Sequence, residues 1–168
     1  MNISIRLENQ NDFRNVENMT REAFWNLYRP GCVEHFIIHK IRKISAFIQE
    51  LDFVACDEDI IVGNIIYSKA KVVNKNKEEF EVLCMGRPLG VLPTYQGKGI
   101  GTLLMKHSIK VAKTLGFNAI VLELYKCSLK GISGKYYEDS VFEIDNEELN
   151  IFDKLFPYKE KRITDTQL

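Results

Sequence analysis

EVLCMGRPLGVLPTYQGKGIGTLLMKHSIKVAKTLGFNAIVLE, running from Glu81 to Glu123, is the stretch that decides the fold of this chain. At its centre stands Gln96-Gly97-Lys98-Gly99-Ile100-Gly101. An extended, mostly apolar run precedes it and ends Pro88-Leu89-Gly90-Val91-Leu92-Pro93. Behind it, apolar residues at helical spacing predict an amphipathic helix over 100–115, closed by Gly116. A second apolar run, 119–124, follows. The order strand, glycine-rich turn, helix, strand is that of a βαβ unit with a parallel pair, so the chain is read as α/β. Three glycines in five residues let a backbone approach a ligand closely, and they open onto a helix N-terminus. Amides without intrahelical partners, together with the positive end of the helix dipole, make such a place an anion site. Lys98 adds a mobile charge, and a phosphate or pyrophosphate is the expected occupant.

Spacing narrows the choice of phosphate ligand. A P-loop needs Gly-Lys followed by Ser or Thr to reach Mg²⁺, but Gly97-Lys98 is followed by Gly99. A dinucleotide fingerprint needs G-x-G-x-x-G, and counting from Gly97 its last position is Thr102. What fits is Q-x-x-G-x-G over Gln96 to Gly101. This segment resembles the coenzyme A pyrophosphate loop of the GNAT acetyltransferase superfamily, and the flanks from Leu89 to Phe117 resemble that family's central motif from end to end. The resemblance implies a GNAT-like mixed sheet with a central coenzyme A-binding βαβ unit, acetyl-CoA as co-substrate and no metal. It assigns Leu89, Gly90, Val91, Gln96, Gly97, Lys98, Gly99, Ile100, Gly101 and Thr102 to contact with that carrier.

The rest of the chain agrees with this order of elements. Ile3, Ile5 and Leu7 alternate with polar residues and predict a first strand. Phe13, Val16, Ala23, Phe24 and Leu27 then recur at helical spacing, with Pro30-Gly31 as the stop, and a second helix carries Val33, Phe36, Ile37, Ile41 and Ile44 inward. Strands are expected over 51–56 and 60–70, joined by Asp57-Glu58-Asp59. A turn over 74–77 leads into a fourth strand from Glu79, and 119–124 makes a fifth. Gly86 and Pro88 in the fourth strand fit an edge or a bulge. They equally fit the splaying of fourth from fifth strand that the resemblance implies, with the acyl-pantetheine arm in the gap.

Lys plus Arg and Asp plus Glu both total 23 in 168 residues, a zero net charge that gives no support to a nucleic-acid partner. No apolar run approaches a membrane span, Met1 to Glu8 alternates like a strand, and the four cysteines lie far apart. A soluble, reduced, cytoplasmic protein acting on no membrane is expected.

The chain departs from the family pattern after Leu124. Beside the resemblance, the sequence runs as though the helix and strand that normally follow the fifth strand had been excised, and with them the Tyr thought to protonate the departing thiolate. The domain is therefore expected to span 1–157, shortened after the fifth strand, with a charged, flexible tail over 158–168. A sheet short of a strand exposes an edge, and a homodimer covering it is expected. Tyr125 is the nearest replacement acid by sequence, or an aromatic packed at a strand end; Tyr136 and Tyr137 are more remote. A thiolate released at pH 7 from a thiol of pKa near 8.5 is uphill by about 2 kcal/mol, against about 4 to 5 kcal/mol for deprotonating a Lys-like amine. Base and positioning therefore outweigh the acid.

The reaction implied is direct attack of an amine on the thioester, the carbonyl polarised by a backbone N–H near Val91 or Leu92. Glu81 is where some family members keep a catalytic base; a solvent-facing strand carboxylate is the other reading. His35 and His39 have metal-ligand spacing but no third ligand, so a solvated helix face is expected. His107 reads as a core histidine and Cys84 as a small buried hydrophobe. The resulting expectation is an acetyl-CoA-dependent N-acetyltransferase with a small-molecule or peptide amine as acceptor. Its rival is a non-catalytic acyl-CoA-binding module derived from the same fold.

Overall fold

The computed structural model describes residues 1–27, 30–73, 76–85 and 89–122. Among these described residues, seven strands and three helices of eight residues or more follow in order: β1 Ile3–Leu7, α1 Phe13–Phe24, α2 Glu34–Ile41, β2 Phe53–Asp57, β3 Ile60–Ile65, β4 Ser68–Val73, β5 Glu79–Met85, β6 Leu89–Val91, α3 Ile100–Thr114 and β7 Ile120–Leu122. The architecture is mixed α/β, with antiparallel strands and one parallel pair.

Two of the strands expected from the sequence are each cut in two. The run 60–70 becomes β3 and β4, and the strand leading to the glycine loop becomes β5 and β6. The cuts face each other. β3 pairs antiparallel with β6 through Ile65↔Leu89, and β4 pairs antiparallel with β5 through Ser68↔Cys84. Between those two rungs one arm has two residues, Ile66 and Tyr67, and the other has four, 85–88. Unequal arms cannot stay in one ladder, and an excess on one side bends that strand away. The result is two sheets, β1-β2-β3-β6 and β4-β5-β7, that share the long hairpin and part at this mismatch. The parallel pair is β5 with β7, in register from Leu83↔Ile120 to Met85↔Leu122, and β6 is left as the edge of its own sheet. Among the described residues β6 and β7, which fall in the expected fourth and fifth strands, do not pair with each other.

Side chains alternate between the two faces. Phe53, Ala55 and Ile65 join Ile100, Leu104 and Met105 beneath α3, while Val54, Cys56 and Ile66 join Val16, Ile38 and Ile41 beneath α1 and α2. Within β3 sits Gly63. A Cβ there would lie 3.1 Å from Leu104 Cδ1, 3.2 Å from the Gly90 carbonyl oxygen and 3.3 Å from Ile100 Cγ2. The absent side chain lets the first turn of α3 rest on the strand.

Two expected faces differ. α1 stops at Phe24 because Asn26 takes a left-handed conformation, φ 56, and donates its backbone N–H to the Gly31 carbonyl, so Leu27 falls outside the helix and is exposed. In α2 it is Ile38 and Ile41 that are buried, while Phe36 faces solvent. An unbroken Phe36-Ile37-Ile38 run in an eight-residue helix has no periodicity to orient it.

Arg42, just after α2, fastens the helices to the sheet. Its guanidinium donates to both Glu8 carboxylate oxygens, at 3.1 and 2.6 Å, and to Glu17 Oε1 at 2.8 Å, and lies over the Phe13 ring. Asp52 Oδ2 stands 4.0 Å from its Nε and Oδ1 accepts from Asn64 Nδ2 at 3.0 Å. Burial pushes both members of the Glu8–Asp52 pair above the ordinary carboxylate range. Everything from Glu123 onward lies outside the described residues. That includes the apparent shortening, Tyr125, Tyr136, Tyr137 and the boundary between 1–157 and 158–168. Gly86, Pro88 and the first half of the expected turn, Asn74-Lys75, lie outside them too.

Candidate active site

The glycine loop is built by a short helical turn, Pro93–Tyr95, that delivers Gln96 to the mouth of α3. Gly97 (φ +73) and Gly99 (φ +83) both take left-handed backbone, which an L side chain adopts only under strain, and a Cβ on either would meet nothing within 4 Å. Their open sides therefore face empty space at the N-terminal end of the helix. Leu103 N–H donates to the Gly99 carbonyl at 3.0 Å, which starts the ladder of α3, and Gly99 as N-cap offers no side-chain acceptor. The amides of Ile100, Gly101 and Thr102 precede that bond and have no acceptor within the helix. They form, with the dipole, a concave set of donors for an anion.

Lys98 is exposed beside them. Its ammonium lies 5.0 Å over the Tyr95 ring, and Tyr95 in turn donates its hydroxyl to Asp57 Oδ2 at 3.2 Å, which ties the loop to the β2–β3 turn. Gln96 acts within the loop. Its Nε2 donates to the Val91 carbonyl at 3.0 Å and so fastens the loop to the end of β6. Gly101 completes the join, since its Cβ position lies 3.7 Å from Leu89 Cδ2 and 3.9 Å from Val91 Cγ2.

The ladder shows which way the β6 amides point. Leu92 N–H donates to the Val62 carbonyl at 2.9 Å, which makes Val62–Leu92 a hydrogen-bonded pair. Bonded and non-bonded pairs alternate in an antiparallel ladder, so Asn64–Gly90 is bonded as well, whereas Gly63–Val91 and Ile65–Leu89 are not. The Leu89 and Val91 amides therefore point away from β3, toward the gap on the side of β6 that no strand among the described residues occupies. Of the two residues expected to supply an oxyanion donor, Leu92 has its N–H occupied by Val62. Val91 has its N–H turned to the gap, with its own carbonyl already taken by Gln96.

Leu89, Gly90, Val91 and the loop 96–102 thus come together at one end of α3. Glu81 does not join them. It lies near the other end of a 15-residue helix about 22 Å long, exposed on β5 in a cleft of ≈ 330 Å³ with Glu50, Lys69 and Phe117, its carboxylate 3.6 Å from Lys69 Nζ. Exposed pairs of this kind contribute little. Glu81→Gln is expected to change kcat/KM less than about threefold and stability by under about 0.5 kcal/mol, read by steady-state kinetics and thermal unfolding.

His39 Nδ1 lies 3.0 Å from Glu17 Oε1 and its ring stacks on Phe36. No group of three or more His, Cys, Asp or Glu suited to a metal occurs among the described residues. His107 is half-buried, edge-on to Phe53 at 4.7 Å, and Cys84 is likewise half-buried. No helix among the described residues is long and apolar enough to cross a membrane. Gly63 and the Val62–Leu92 bond were not foreseen from the sequence. A lone glycine inside a strand run is the signal that could have pointed to the first.

The acetyltransferase (GNAT) family profile matches residues 18–132. A GNAT family acetyltransferase from Brucella melitensis, solved in complex with acetyl-CoA, superposes with a TM-score of 0.62 at 26% identity, over 72% of this chain and 75% of that one. A GNAT family acetyltransferase from Staphylococcus aureus aligns at a TM-score of 0.54 and 20% identity, over 81% of this chain and 100% of its own. The ribosomal-protein-S18-alanine N-acetyltransferase of Escherichia coli aligns at 0.55 and 15% identity, over 76% and 70%. At the last two identities the likeness is one of fold. No curated protein matches at a significant level.

Proposed function

The chain belongs to the acetyltransferase (GNAT) family, and from that premise we propose that it transfers the acetyl group of acetyl-CoA to a primary amine by direct attack. The observation that carries this reading is the junction of loop and β6. Donors suited to a diphosphate lie at the N-terminus of α3, and a gap-facing Val91 amide lies on the strand fastened to them.

In this reading the amides of residues 97–102 and Lys98 hold the diphosphate, and the Leu89 and Val91 backbone receives the pantetheine arm as a strand would. The Val91 N–H donates to the thioester oxygen as charge develops there. A fixed donor of that kind contributes about 2.7–4 kcal/mol in enzymes where it has been removed. The amine nitrogen forms the new bond to the acyl carbon, the carbon–sulfur bond breaks, and the amine proton leaves to water. The thiolate departs on the coenzyme. Holding both reactants in one cleft supplies much of the remaining rate.

Support for acetyl-CoA comes from the family match and from the Brucella melitensis relative, whose structure contains it. The S18-alanine enzyme acts on a peptide amine by its name, and small amines remain equal candidates here. The test is calorimetric titration with acetyl-CoA followed by thiol release over a panel of small amines, polyamines and peptides. Binding with turnover of at least one amine is expected. Binding with no turnover across the panel would favour an acyl-CoA-binding module, and no binding would reject both.

A further inference from the structure

Met19, Ala23 and Phe24 form an apolar cluster of their own, separate from the two larger ones and joined by Cys32 and Leu92. All three come from the C-terminal half of α1, where it crosses β6. Contact with the strand is direct. The position a Gly90 side chain would take lies 3.4 Å from Phe24 Cε2 and 3.7 Å from both Met19 Cε and Met19 Sδ. Gly90 precedes Val91, the residue whose amide faces the gap, and Leu92 follows it. The cluster therefore brackets the free amide along the chain and stands one residue from it.

Resting on Val91 as donor to the thioester, we propose that Met19 and Phe24 form the wall that limits the acyl chain, admitting acetyl and excluding chains of four carbons or more. An acyl carbonyl held by the Val91 amide has its oxygen about 2.9 Å from that nitrogen. Its alkyl end then starts within a few ångströms of side chains that press on Gly90. Phe24 is stiff and mostly buried, so it cannot retreat without leaving a void. Met19 is buried too, and its unbranched thioether fills the remaining space without leaving a slot for further methylenes. The wall comes from α1, whereas the donors come from β6 and the loop, so acyl length can be altered without touching the carrier grip.

Calorimetry with coenzyme A, acetyl-CoA, butyryl-CoA and hexanoyl-CoA on wild type, Met19→Ala and Phe24→Leu tests this without an acceptor. Wild type is expected to bind butyryl-CoA at least about tenfold more weakly than acetyl-CoA. Met19→Ala is expected to leave coenzyme A affinity unchanged and to raise butyryl-CoA affinity about 15-fold, at roughly fourfold per methylene accommodated. Phe24→Leu, closer to volume-conserving, keeps the test alive if the alanine variant fails to fold, and should move the same ratio in the same direction. An unchanged butyryl-to-acetyl ratio in folded variants that still bind coenzyme A overturns the wall and leaves the acetyltransferase reading standing. Wild type binding both esters equally also overturns it. Failure of wild type to bind any of the four ligands removes the functional reading, and the wall with it.

Discussion

Gly99→Glu is expected to weaken coenzyme A binding by at least about 100-fold while leaving the fold intact. Two effects add. Left-handed backbone costs an L residue roughly 1–2 kcal/mol, and Gly99 sits at φ +83. A carboxylate beside the α3 amides also meets the diphosphate as a like charge, which costs several kcal/mol. A hundredfold needs only about 2.7 kcal/mol. The space around the position separates the effects, because a Cβ there meets no atom within 4 Å. Gly99→Ala should therefore show the strain alone, about five- to thirtyfold at the most. Thermal unfolding of both variants should move by only a few degrees. Undiminished binding by Gly99→Glu would mean the anion is held elsewhere.

The largest effect on stability is expected at Arg42. Its side chain is 4% exposed and serves Glu8, whose side chain is fully buried, and Glu17. Removing the guanidinium leaves the buried oxygens of Glu8, and the half-buried Glu17, without their donor, at about 1–3 kcal/mol for each group left unsatisfied. Arg42→Ala should accordingly lower the melting temperature by about 10 °C. The same cluster sets a pH dependence. Burial raises the carboxyls of Glu8 and Asp52, with Glu8 pushed up to about 9, so the folded chain retains a proton that the unfolded chain releases near pH 4.5. More protons bound in the folded state means that stability falls as pH rises. This contribution is fully present below about pH 4.5 and is lost toward pH 9. Denaturant titrations from pH 5 to 9 should show the slope, and Glu8→Gln should flatten it.

What the sequence made legible follows the length scale of each interaction. The glycine loop, α3 and its Gly116 stop were visible because spacing and capping are local, and they agree with the structure to within a residue. The start of β5 at Glu79 was equally visible. The division of two expected strands was not, because it arises from two residues facing four across a ladder, and neither arm alone records the inequality. Arg42, Glu8 and Asp52 are far apart in the chain and ordinary in composition. Only the packing of α2 against the ends of β1 and β2 makes them a cluster. Glu81 was singled out by its position along a strand, a coordinate that says nothing about which end of α3 lies beside it.

The mismatch between Ile65↔Leu89 and Ser68↔Cys84 has a kinetic consequence. A guest that completes an interrupted ladder must be zipped in and unzipped along several main-chain contacts. Under the proposed function, departure of the deacylated carrier is therefore expected to be slower than the bond-making step, and pre-steady-state kinetics should show its rate responding to edits in the hairpin arms that never touch the guest.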